Sequence, residues 1–206
     1  MVRRLGEMVQ QALRGAVAAL EAGDVRAAAD LVARDAAIDR LEEEVELACL
    51  ELLRGSGHRG GNEREGRRVA AAFKVVTDLE RTGDHAAAVA RTTLRMQGER
   101  PIAPFVDIQR LASLADSMLA GALKALLESD GPLAREVAAR DDGVDALYDQ
   151  IFRELVTYML DDRSAVRAAT HLLFVASALE RIADHATNLC EWVVFVESGR
   201  RVELNA

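Results

Sequence analysis

Four pairs of carboxylates with four-residue spacing recur at matching places in the two halves of this chain: Asp35 and Asp39, Glu80 and Asp84, Asp141 and Asp145, Glu180 and Asp184. On a helix that spacing puts both members of a pair on one face. Like charges so placed cost roughly 0.2–0.5 kcal/mol per pair in an isolated helix, so writing the arrangement repeatedly points to a use for concentrated negative charge. The chemistry open to such oxygens is coordination of a hard or borderline cation, which relieves the repulsion. Uncompensated, the cluster raises carboxylate pKa values and weakens the fold. A solvated acidic face balanced by nearby arginines is the alternative. It is the better reading for one pair and the weaker one for four at equivalent positions.

The positions are equivalent because the chain repeats itself. DLERTGDHA at Asp78–Ala86 returns one hundred residues later as ALERIADHA at Ala178–Ala186, identical at six of nine positions. Upstream, Asp35/Asp39 and Asp141/Asp145 both lie in an Arg-Asp-x-x-x-Asp context. A self-match at so long a period marks a duplicated unit.

At about 100° per residue, Val75, Val76, Leu79, Gly83, Ala86 and Ala90 form an apolar stripe, and Glu80 and Asp84 border it. In the second copy Leu172, Leu179, Ala183, Ala186 and Cys190 make the stripe, with Glu180 and Asp184 on the same border. That column continues through Thr187 and Asn188 to Glu191, whereas the first copy has Ala88 and Arg91 at the positions of Asn188 and Glu191. Upstream, Asp35, Asp39, Glu42, Glu43 and Glu46 share a face; its counterpart keeps Asp141, Asp145 and Asp149 but has Tyr148 and Phe152. His85 and His185 sit about 100° further round than the aspartates they follow, as outer ligands or as surface imidazoles.

The elements that must position these residues read as three helical patterns per half. In the first half they are Met8–Glu21, Val25 to about Leu53, and Arg67 to Met96. Gly23-Asp24 is a break with Asp24 as a helix cap, and the glycine-rich Arg54–Gly66 reads as a flexible connection. In the second half they are Ile108–Leu127, Leu133–Leu160 and Ala165–Glu197, with Pro132 at a helix start. Gly98 to Pro104 separates the halves. Long helices on short connections pack as antiparallel bundles. The expected fold is all-α, two tandem antiparallel three-helix bundles, 1–99 and 100–206.

Composition narrows function. Alanine, leucine, arginine and glutamate abound while aromatic residues are only 4%, which suits helices and disfavours a β-sandwich or barrel. A net charge of −8 argues against nucleic acid as a partner. Cys49 and Cys190, far apart in apolar patterns, read as buried free thiols. The N-terminus has charge but no apolar core followed by a cleavage site, so no signal peptide is expected. Ala168–Leu179 is short of the ~20 apolar residues that span a bilayer. No nucleophile elbow, Walker loop or Rossmann glycine pattern appears, and an enzyme is not expected. Trp192 and Phe195 are assigned to core or inter-bundle packing.

The repeated (D/A)-L-E-R-x-x-D-H-A, preceded in each half by a helix with D-x-x-x-D, resembles the PhoU family of phosphate-signalling regulators over essentially the whole chain. The resemblance implies a cytoplasmic regulator, peripheral to the inner membrane through its partners, that represses the phosphate-starvation response. Those partners would be the phosphate ABC transporter and its sensor histidine kinase. It also implies a homodimer and divalent or trivalent metal ions (iron, zinc, manganese or magnesium) held by the acidic pairs. Carried over residue by residue, the first site is Asp35, Asp39, Glu80 and Asp84. The second is Asp141, Asp145, Glu180 and Asp184, with Glu191 extending it.

Arg91 at the position of Glu191 makes the sites unequal, with Glu42, Glu43 and Glu46 as its candidate ion-pair partners. If only one site is filled, the second is expected. The alternative function is a carboxylate-rich metal-binding protein or metalloenzyme unconnected to phosphate signalling. Against it, ferritin-type centres use Glu-x-x-His pairs projecting into the bundle core, whereas no Glu-x-x-His occurs and the acids border the apolar stripe. A purely structural helical partner needing no metal is the third reading.

Overall fold

The computed structural model describes residues 1–56, 63–98 and 105–205. They form seven α-helices: α1 Val2–Ala22, α2 Val25–Ser56, α3 Glu63–Arg95, α4 Phe105–Glu128, α5 Gly131–Ala138, α6 Asp141–Asp161 and α7 Val166–Ser198. A single 3-10 turn, Arg163–Ala165, precedes α7. The all-α class and the repeated plan agree with the sequence reading.

Local chemistry sets the boundaries. Gly23 adopts φ 61, which lets the chain leave α1 in the left-handed conformation. Asp24 Oδ1 then accepts the Ala27 amide at 2.9 Å and caps α2. Asp130 does the same for α5, accepting from Leu133 at 2.9 Å. The glycine-rich connection is shorter than its composition suggested. Residues 54–56 and 63–66 are helical, and residues 57–62 of that segment lie outside the described residues. Most of the boundary segment between the halves, residues 99–104, lies outside them too.

One expected helix is two. The Leu133–Leu160 pattern breaks at Ala139-Arg140, where the Arg140 amide bonds to Val137 O at 3.0 Å and the Gly143 amide to Arg140 O at 3.1 Å. The first half has helix-favouring Ala36-Ala37 where the second has Asp142-Gly143. Asp and Gly are weaker inside a helix, and Asp141 and Asp142 are stabilised in the first turn of a new one by its dipole.

In each half the third helix is the hub: α1 and α2 pack on α3, and α4, α5 and α6 pack on α7. The most extensive pairing joins the two hubs to each other. They run antiparallel, with Arg67 beside Gly199 at one end, Asp78 against His185, and Arg91 and Arg95 in one groove with Phe174 and Ser177 at the other. One apolar cluster runs through both halves, from Leu5 on α1 to Val194 on α7. Arg14 and Asp116, 2.9 Å apart, tie α1 to α4.

Gly83 brings α2 close beside the acidic column of α3. A Cβ there would stand 3.0 Å from Ile38 Cδ1 and 3.2 Å from Ile38 Cγ2. The second half reverses the sizes, with Val144 at the position of Ile38 and Ala183 at that of Gly83. Cys49 and Cys190 are buried and unpaired, as expected. No helix among the described residues is long and apolar enough to cross a membrane.

Candidate metal centre

The break before α6 places Asp141 and Asp145 on its first two turns, facing the border of α7 that carries Glu180 and Asp184. Asp145, Glu180 and Asp184 each offer a carboxylate oxygen within 4.8 Å of the others. Among the described residues no second group of this kind meets that spacing. Asp141 completes the cluster from inside. It is 1% exposed, and its Oδ1 is buried without a hydrogen-bond partner. The Thr187 hydroxyl beside it is also buried and makes no well-formed bond.

Burial and mutual repulsion act on all four carboxyls. Burial, then Asp184 and Asp145, pushes Asp141 up to about 6. Burial, again ahead of Asp184 and Asp145, pushes Glu180 up to about 7. Asp145 and Asp184 are raised by burial as well. These are the shifts expected of carboxylates gathered with too little counter-charge, Arg181 offsetting them only in part.

In the first half burial, then Asp84, Glu42 and Asp39, pushes Glu80 up to about 7. Burial and Asp84 raise Asp35, but Arg91 works against them. Its Nη1 stands 3.5 Å from Asp35 Oδ2 and its Nη2 donates to the Asp84 carbonyl at 3.3 Å. Arg91 therefore turns to Asp35 and not to Glu42, Glu43 or Glu46. Glu42 joins Asp39, Glu80 and Asp84 in the electrostatic neighbourhood of this cluster.

Glu191, at the position of Arg91, faces a different partner. Its Oε1 accepts the Leu204 amide at 3.0 Å. The chain turns back after α7 at Gly199, φ 73, and Asn205 Nδ2 donates to Asp141 Oδ2. Along the way the Arg201 guanidinium lies 4.7 Å over the Trp192 ring, and Trp192 meets Phe195 edge-on at 5.6 Å. Both aromatics are partly buried, and Trp192 packs against the core as expected while Arg201 covers its outer side.

Between the two clusters lies the α3–α7 seam. His85 and His185 stack there with ring centroids 5.6 Å apart. Burial, then His185 and Arg181, lowers His85 to about 4, so it is neutral at pH 7. His185 Nδ1 lies 3.0 Å from Asp78 Oδ1, and Asn188 Nδ2 donates to the same oxygen at 3.3 Å. Neither imidazole belongs to the three-carboxylate group. Asp78 is a seam residue that helical periodicity did not single out. Its signal was the mismatch at the first motif position, Asp78 against Ala178.

A donor set of carboxylate oxygens with no thiol or imidazole suits hard cations such as magnesium or manganese, and iron, better than the nitrogen and sulfur ligands zinc favours. The fit rests on Asp141 Oδ1, which has no well-formed hydrogen bond and only the Thr187 hydroxyl nearby as a weak donor, because a buried carboxylate oxygen so poorly met is costly unless something positive reaches it.

Comparison with known proteins assigns the chain. The family model for the PhoU domain matches it twice, over residues 2–93 and 108–193. A phosphate-specific transport system accessory protein PhoU homolog from Clostridium acetobutylicum is 35% identical over 98% of this chain and 91% of its own length. One from Caulobacter vibrioides is 36% identical over 98% and 86%. The crystal structure of PhoU from Pseudomonas aeruginosa superposes with a TM-score of 0.91 at 32% identity, covering 97% of this chain and 94% of that one. The phosphate transport system regulatory protein PhoU from Streptococcus pneumoniae gives 0.90 at 28% identity, over 98% and 93%. With the duplicated acidic pairs, the hub helices and both family matches in register, the chain belongs to the PhoU family.

Proposed function

We propose that this protein is an accessory regulator of phosphate-specific transport. In this reading it works as a cytoplasmic adaptor, a homodimer at the inner membrane, between a phosphate ABC transporter and a sensor histidine kinase. The observation that carries the reading is the identity of about a third, over nearly the full length, with proteins named as accessories of that transport system. An adaptor biases its partners only by binding their states unequally, so the helical surface must discriminate between transporter or kinase conformations. Each half, 1–99 and 100–206, would present one acidic cluster to that task.

Cations would be held in the second half by Asp141, Asp145, Glu180 and Asp184. In the first, Asp39, Glu80 and Asp84 would hold them, with Asp35 shared with Arg91. A bound cation would supply positive charge that pins α6 to α7, or α2 to α3, and so fix the surface those helices present. Deleting the gene and measuring phosphate-starvation transcripts in phosphate-replete medium tests the regulatory reading; derepression is expected. Unchanged transcripts would rule it out. Elemental analysis of protein purified without chelator or a nickel column tests the cation reading separately.

A further inference from the structure

We infer that Asn205 is a positioning residue for the second cation site, and that the segment after α7 forms the outer wall of that site. The inference rests on the cation reading above and concerns residues that reading does not use. The segment is anchored at three points: Arg201 over Trp192, the Leu204 amide on Glu191 Oε1, and Asn205 on Asp141 Oδ2. Leu204 itself packs against the hydrophobic core, so the wall is held by apolar contact as well as by polar bonds.

Asp141 is the carboxylate this wall controls. One oxygen accepts from Asn205, and the other is buried and without a partner. A ligand carboxylate is oriented in this way by a donor behind it, and such outer partners are worth roughly 10–100-fold in metal affinity. The amide nitrogen of Asn205 must face Asp141, because an ionised carboxylate can only accept. Asn205 thus orients Asp141 without neutralising it. The first half shows the opposite choice. Arg91, at the position of Glu191, puts a full positive charge 3.5 Å from Asp35. A neutral donor leaves the carboxylate its charge for a cation; a guanidinium takes that charge.

The test is titration of the full chain with Mn²⁺ in a Glu80→Gln, Asp84→Asn background, so that the second site reports. Asn205→Leu should weaken Mn²⁺ binding about 10–100-fold, lower the cation-free melting temperature because buried Asp141 Oδ2 loses its donor, and shrink the Mn²⁺-induced rise. The emission of Trp192, the sole tryptophan, reports whether Arg201 and the wall stay docked in each variant.

Undiminished binding in Asn205→Leu would overturn the positioning role. Tighter binding in Asn205→Leu would make the wall a competitor of the cation and overturn it as well. If Asp184→Asn abolishes binding while Asn205→Leu leaves it intact, only this inference falls. If the parent binds no Mn²⁺ at all, the cation reading falls and takes the inference with it.

Discussion

The two halves carry the same acidic pairs on the same helical borders and hold them in different electrostatic states. In the second half Asp145, Glu180 and Asp184 converge within 4.8 Å of one another, beside a buried Asp141 whose donors are neutral. In the first, Arg91 reaches Asp35, and Glu42 adds a further acid where the second half has Tyr148. Duplicated ligand types do not guarantee duplicated affinity, because the residue one turn beyond the motif decides whether the cluster is already compensated.

The sharpest test of that contrast is direct. Asp184→Asn should lower second-site cation affinity by more than the roughly 100-fold that losing an outer partner costs, and Asp84→Asn should do less to the first site. Equal losses by calorimetry would break the comparison. Exchanging the deciding residue comes next. Arg91→Glu frees Asp35 and should strengthen cation binding in the first half about tenfold, or about 1.4 kcal/mol. No gain in that titration would mean that Arg91 does not set the difference.

A pH series sharpens the point both halves share. Glu80 and Glu180 rise from the ordinary 4.5 to about 7 on folding, burial being the first cause in each. Between those values the folded chain holds protons that the unfolded chain releases. Stability of the cation-free protein is then fullest below about pH 4.5 and falls as pH climbs through about 7. Melting temperature should decline over that window, and saturating Mn²⁺ should flatten the decline. A cation-free melting temperature that rises from pH 5 to 7.5 would contradict the assignment.

The smallest expected effect is in packing. Gly83→Ala pushes a methyl to 3.0 Å from Ile38 Cδ1, and the crowding, offset by the roughly 1 kcal/mol helix gain of Ala over Gly, should leave a net cost below about 1 kcal/mol in denaturant unfolding. Adding Ile38→Val, which copies the Val144 and Ala183 pairing, should recover most of it. A double variant no more stable than the single would show that the two halves do not share this packing rule.

Much of this was legible in the sequence because it is local. Four-residue spacing fixes which carboxylates share a helical face, and the hundred-residue repeat aligns Glu80 with Glu180 before any coordinates exist. Asp24 announced its cap, and Pro132 its helix start, by type and place. The rest depends on what meets what. The Leu133–Leu160 apolar pattern survives the break at Ala139-Arg140, so periodicity could not expose it. Asn205 meets Asp141 across 64 residues, and Asp78 meets His185 across 107; neither pairing leaves a mark in spacing. Arg91 was recognised as out of place, but its choice of Asp35 over three nearby glutamates is a matter of reach.

The antiparallel seam gives the duplication a further meaning. Two copies of one helix crossing head to tail, with His85 stacked on His185, have the geometry of an isologous two-fold contact. In a dimer of identical subunits every substitution at such an axis is made twice, and both sides change together. A single chain with both copies in it is free of that constraint. Arg91 can stand on one side and Glu191 on the other, Asp78 on one and Ala178 on the other, so one frame can hold a compensated site and an uncompensated one.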